Sequence, residues 1–204
     1  TTNTEAYEYY LKGKYNYEQS ENIEDTEIAR GFIYKAIELD DNLIQAKSLL
    51  GHTYFMTGDY KIAKNIFLTT LTQSEKLDDK NSIPNLLSAI GECFDEQGND
   101  DKALEYYIRA LDMAKYQGDE SQISIILIDI GILYYLQCKY KESVKYLSES
   151  NKTLNDLDRK CSKIRKNGGI EDSYGNFTLI DDEDLQFYGP TFKMEYKTYL
   201  FLCL

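Results

Sequence analysis

Apolar residues recur along this chain at intervals of three and four, in stretches separated by short polar breaks. Residues 5–18, rich in tyrosine, read as a first helix. Ala29, Ile33, Ala36 and Ile37 share one face and predict a second helix over 27–39, broken by Asp40-Asp41-Asn42. A third runs from about Leu43 to Met56 and closes at Thr57-Gly58, with Asp59 placed to cap a fourth that reaches Leu77. Ser82 as a cap and Pro84 in the first turn open a fifth, over 83–97. The same reasoning predicts helices over 101–116, 123–137 and 140–157.

The pattern also repeats on a longer scale. Leu50-Gly51-His52-Thr53-Tyr54 returns as Ile90-Gly91-Glu92-Cys93-Phe94 and again as Ile130-Gly131-Ile132-Leu133-Tyr134, so the glycines set a period of 40 residues. A fixed period of this size marks a stacked array of helix pairs. Each glycine falls where the two helices of a pair cross, and a side chain there would push the axes apart. Ala63 and Ala103 are expected to meet Gly51 and Gly91, with Tyr54, Phe94 and Tyr134 filling the space beside each crossing. On that reading Gly91→Leu overpacks the crossing by more than about 2 kcal/mol. An earlier copy carries Gly13, Ala29, Ile33 and Ala36, its turn stretched by a polar insert around Gln19 to Thr26. After Leu157 the rhythm fails. The expected organisation is a helical repeat array over 1–158, an irregular loop or divergent insert over 159–190, and a terminal helix over 191–204 that resembles the first helix of a further repeat.

An apolar residue, glycine and an aromatic three on, then a turn glycine, then Ala63 with Phe67, or Ala103 with Tyr107 and Ala110, resembles the tetratricopeptide repeat. The period is longer than the usual repeat of about 34 residues and is similar to the long-helix variety found in cytosolic scaffolds and beside bacterial signalling domains. The resemblance covers roughly residues 5–158. The opening Glu5-Ala6-Tyr7-Glu8-Tyr9-Tyr10-Leu11-Lys12-Gly13 resembles the start of arrays attached to bacterial nucleotide cyclases and kinases. The resemblance implies an all-α, right-handed superhelical solenoid of antiparallel helix pairs.

It also implies a concave surface lined by the first helix of each pair, where facing residues recur at i, i+4 and i+7. One step round from the glycines these are Ser48, His52 and Phe55, then Ser88, Glu92 and Asp95, then Ile128, Ile132 and Tyr135. The stretched first repeat offers Tyr10, Lys14 and Tyr17. Arrays that capture a free chaperone carboxylate place lysine and asparagine here. In this chain the lysine is confined to Lys14, and Glu92 and Asp95 would repel a carboxylate. The groove therefore suits a peptide or partner protein with basic and apolar anchors. Part of it is open to being covered by the chain's own 158–190 segment or last helix.

Charge changes the picture of partners. With 23 Lys and Arg against 35 Asp and Glu, the net charge is −12, which argues against nucleic acid and anionic membrane. No stretch approaches the ~20 apolar residues of a membrane span, and no signal-peptide pattern is present. The four cysteines (Cys93, Cys138, Cys161, Cys203) have no metal-type spacing. Together these predict a cytoplasmic protein.

Catalytic chemistry finds little to work with. His52 is the single histidine and lies in a repeat helix, so a groove-lining or structural role outweighs a nucleophile pair. Asp181-Asp182-Glu183-Asp184 lacks the alternating ligands and turn glycine of a calcium loop. Gly168-Gly169 follows no strand and has no phosphate-loop lysine. No cofactor or metal is expected, and no enzyme. The resulting function is a protein–protein interaction scaffold. Two alternatives are a regulatory segment of a larger signalling enzyme, since both ends look cut from a longer chain, and a self-association module that dimerises through the C-terminal edge.

Overall fold

The structure, a computed structural model, describes residues 3–166, 170–171 and 177–178. Eight helices are present among the described residues: α1 (Thr4–Glu18), α2 (Ile23–Leu39), α3 (Ile44–Met56), α4 (Tyr60–Leu77), α5 (Ile83–Asp95), α6 (Asp100–Gln117), α7 (Glu120–Leu136) and α8 (Tyr140–Lys166). The protein is an all-α solenoid. Its contacts divide the chain into two units, Thr1–Leu154 and Asn155–Leu204. In the second, Ile170–Glu171 (β1) pairs antiparallel with Phe177–Thr178 (β2). The expected 191–204 helix, Gly168-Gly169, the 181–184 acidic run and the C-terminal dimer edge lie outside the described residues.

In the first unit α1 packs on α2, α3 on α4 and α5 on α6, and each pair leans on the next through α2–α3, α4–α5 and α6–α7. The odd-numbered helices also touch in sequence, α1 to α3, α3 to α5 and α5 to α7. They form the inner wall of the array.

The glycine stripe sits at the crossings, but the residues that meet it differ from expectation. A Cβ on Gly51 would strike the Phe67 ring. On Gly91 it would lie 2.7 Å from the Tyr107 ring, and on Gly131 2.7 Å from the Leu147 side chain. The crossing partner is therefore the large residue one turn after Ala63, Ala103 or Ser143, laid flat across the glycine. The small residue is buried beside it, and at Gly91 it is the Ala103 carbonyl that approaches, at 3.3 Å from an added Cβ. Gly13 obeys the same rule: an added Cβ would meet Ile33 at 2.6 Å.

Local chemistry departs from the sequence reading at several ends. Asn22 caps α2 by accepting from the Asp25 amide at 2.9 Å, so Glu24 to Thr26 belong to the helix and the insert is short. Asp59 does not cap α4 through its side chain; its carboxylate accepts from the Thr57 hydroxyl at 3.0 Å. Ser82 donates to Asp79 at 2.6 Å instead of capping α5, which starts at Ile83 with Pro84 in its first turn. The last helix continues to Lys166, past Leu157 where the apolar period stops.

One buried cation fastens the first pair to the second. Arg30, 5% exposed, donates from Nε to the Thr53 hydroxyl at 3.1 Å and from its second amino group to the Thr53 carbonyl at 2.8 Å and the Thr57 hydroxyl at 2.6 Å. It pairs with Glu27, and its guanidinium lies 3.9 Å from the centre of the Tyr54 ring. The next interface keeps a reduced version, with Lys64 4.3 Å from the Phe94 ring centre and 2.7 Å from the Gln97 amide oxygen. Leu104 takes the corresponding position at the third.

Candidate functional site

Two clefts open on the inner wall. The first, of about 250 Å³, brings together Tyr10, Lys14 and Tyr17 from α1 with Ser48 and His52 from α3. Glu18, Gln45, Leu49, Ser82 and Asn85 complete it. The lining comes from three successive first helices because α1, α3 and the start of α5 lie side by side. Lys14 and Glu18 form an ion pair at 3.7 Å, one turn apart. Burial holds the His52 imidazole below its ordinary pKa, so it is neutral at pH 7, and its ring packs edge-on against Phe67 at 5.0 Å. Burial raises the phenols of Tyr10 and Tyr17, and the Glu92 and Glu18 carboxylates push Tyr17 further.

The second cleft, of about 130 Å³, is lined by Phe55 from α3, by Glu92 and Asp95 from α5 and Glu96 just after it, by Tyr107 from α6, and by Asp129 and Ile132 from α7. Asp129 accepts a hydrogen bond from the Ser88 hydroxyl at 3.2 Å, and Ser88 itself is buried. Burial, the Glu92 charge and then Asp95 raise the Asp129 carboxyl to about 8, although the Ser88 bond opposes them. Burial followed by Asp95 and Glu96 lifts Glu92 to about 6, and burial with Asp100 and Glu96 also raises Asp95. At neutral pH this cleft holds one protonated carboxyl beside ionised ones.

Of the twelve groove residues read from the sequence, nine line these clefts. Ser88 supports Asp129 from behind. Ile128, half-buried, lines neither, and Tyr135 turns edge-on to Tyr140 at 5.6 Å. Asp129 is the acidic residue that periodicity missed. It sits one position off the Ile128–Ile132 stripe, on a helix that is apolar on most faces. The signal was there in another form: Asp129 is the one charged residue between Glu120 and Lys139.

No group of side chains suited to a metal ion occurs among the described residues, and none of the described helices is long and apolar enough to cross a membrane. Cys93 is buried beside Gly91, where desolvation pushes its thiol up to about 12.

A family model of the tetratricopeptide repeat matches residues 42–116 and 97–150, together more than half of the chain. The chain belongs to the tetratricopeptide repeat family. Among curated proteins a sequence comparison finds no match. Solved structures share the fold. BtubC from P. vanneervenii is 21% identical with a TM-score of 0.54, over 67% of this chain and 57% of that one. Aspartyl phosphate phosphatase F from Bacillus subtilis is 18% identical with a TM-score of 0.67, over 75% and 41%. A Rap protein complexed with Competence and Sporulation Factor is 15% identical with a TM-score of 0.61, over 78% and 56%. At these identities the likeness concerns the fold alone, and this tetratricopeptide chain spans about half the length of those proteins.

Proposed function

We propose that the array binds a segment of another polypeptide along its inner wall in the cytoplasm, without chemistry of its own. The observation that carries this reading is the pair of unlike clefts on one wall. The first sets tyrosine rings and apolar side-chain surface beside a neutral imidazole and the Lys14–Glu18 ion pair, and the second joins carboxylates to apolar surface. A chain laid across both would place apolar and hydroxyl-bearing groups toward Tyr10, Tyr17 and His52, and basic groups toward Glu92 and Asp95. Amphipathic tyrosine surface and a few placed charges are what recognition of a single segment requires. The complex of a Rap protein with Competence and Sporulation Factor lends support by kind, since a neighbour of this fold binds another factor.

The test is recovery of partners by the intact array against a variant in which Glu92 and Asp95 are both changed to lysine. The double variant is expected to lose partners that the parent retains. Equal recovery would overturn the acidic half of this groove.

A further inference from the structure

Glu92 lies on the inner wall with a particular deficiency. Its half-buried side chain lines the second cleft, yet it has no hydrogen-bond or ion-pair partner among the described residues. Every charge acting on it is negative, Asp95 at the end of α5 and Glu96 just after it, while the Asp129 carboxyl of α7, protonated at neutral pH, and the neutral phenols of Tyr17 from α1 and Tyr107 from α6 also lie within its field. No cationic side chain lines the cleft. A carboxylate held partly out of water among like charges lacks a counter-charge that only an outside group can bring.

Size and walls narrow the choice of that group. A space of about 130 Å³ admits a side chain but not a folded backbone. Phe55, fixed edge-on to Tyr60 at 5.1 Å, and Ile132 supply apolar walls for a long stem. The acids do not form a group that could hold a metal ion. Two carboxyls on separate helices call for a cation with donors pointing in more than one direction. A guanidinium spreads five donors over a rigid planar fork wide enough to meet two carboxyls, whereas the three donors of an ammonium rotate about one compact centre.

We propose that this cleft is a socket for one arginine side chain of the bound polypeptide, its guanidinium between Glu92 and Asp129 and its stem against Phe55 and Ile132. The proposal rests on the groove reading above and adds the identity of one anchor. It has a proton consequence. Burial, with the Glu92 and Asp95 charges, keeps Asp129 protonated at neutral pH. An arriving guanidinium favours the ionised form, so the carboxyl O–H breaks and its proton passes to the buffer. Entry of arginine and release of a proton are one event.

The test uses the intact protein and three small probes: Nα-acetyl-arginine methylamide, its lysine counterpart and its citrulline counterpart, a neutral isostere. Calorimetric titration at pH 7, in two buffers of different ionisation enthalpy, reads affinity and proton release together. The arginine probe should saturate in the millimolar range with buffer-dependent heat, and citrulline should bind at least about tenfold more weakly. Glu92→Gln and Asp129→Asn should each weaken the arginine probe about tenfold, and Asp129→Asn should also remove the buffer dependence. Both are isosteric; Glu92→Gln relieves like-charge repulsion and Asp129→Asn removes the cost of holding a carboxyl protonated above its unfolded pKa, so their melts should match or exceed the parent. Equal binding of arginine and citrulline, no binding of arginine, or an unaffected Glu92→Gln would each overturn the socket. Equal binding of lysine overturns the arginine assignment. Because each probe is a single residue, these failures count against the socket, while the groove itself stands or falls on partner recovery with the Glu92 and Asp95 variant.

Discussion

Gly91 and Gly31 are both helical glycines, and the structure gives them opposite expectations. An added Cβ at Gly91 would lie 2.7 Å from the Tyr107 ring and 3.3 Å from the Ala103 carbonyl, whereas at exposed Gly31 it would meet nothing within 4 Å. Gly91→Leu should cost more than about 2 kcal/mol by overpacking. Gly31→Ala should gain up to about 1 kcal/mol from helix propensity alone. Urea unfolding of both variants beside the parent checks the pair. Asp129 gives a second prediction at this scale. Its carboxyl is raised above the unfolded value, so the folded state binds the proton more tightly, and stability falls as pH rises from about 4 to about 8. Glu92 acts in the same direction up to about 6. His52, whose pKa is lowered, acts oppositely and weakens the fold as pH drops below its unfolded value near 6.5. The comparison must therefore be between variants. Asp129→Asn should melt above the parent at pH 8, and the gap should close toward pH 4. A gap independent of pH would mean that Asp129 is not held protonated.

At the scale of helices and turns, the joints between pairs are graded. Arg30 satisfies Thr53 and Thr57 near the C-terminal end of α3 and covers Tyr54, Lys64 does part of this at the next joint, and Leu104 replaces it at the third. Arg30→Met should cost on the order of 3 kcal/mol, because charge-assisted bonds are lost and polar groups are left without partners. Lys64→Met should cost less than half as much. Denaturant melts of the two would show it, and equal costs would contradict the grading. The turns add a simpler case. Gly58 and Gly98 sit at φ 81° and 69°, and Cys138 occupies the third equivalent turn at φ 59°. Cys138→Gly should raise stability by roughly 1 kcal/mol by removing left-handed strain, which a thermal melt can register.

Much of this level was legible in the sequence, and the misses have physical causes. Glycines 51, 91 and 131 announced the crossings because a period is a one-dimensional signal. Phe67, Tyr107 and Leu147 stayed hidden as their partners, since which side chain lies across a crossing depends on the turn between the helices. The end of α8 lies beyond its apolar stripe, because loss of the stripe is not loss of the helix. A polar sequence without glycine or proline can stay helical, as Arg159 to Lys166 does. Asp129 escaped because α7 is apolar on nearly every side and period alone selects no face.

For the whole molecule, packing passes from each helix pair to its neighbour, as in other linear arrays. The tetratricopeptide identity and the solenoid followed from that regularity. The clefts did not, because they depend on how three helices from different repeats converge. The second cleft draws its walls from α3, α5, α6 and α7, and so from three successive pairs. Its occupant works as a keystone does in an arch. Seating it draws three successive pairs onto one shared side chain, and drawing it out leaves them joined by their own packing alone.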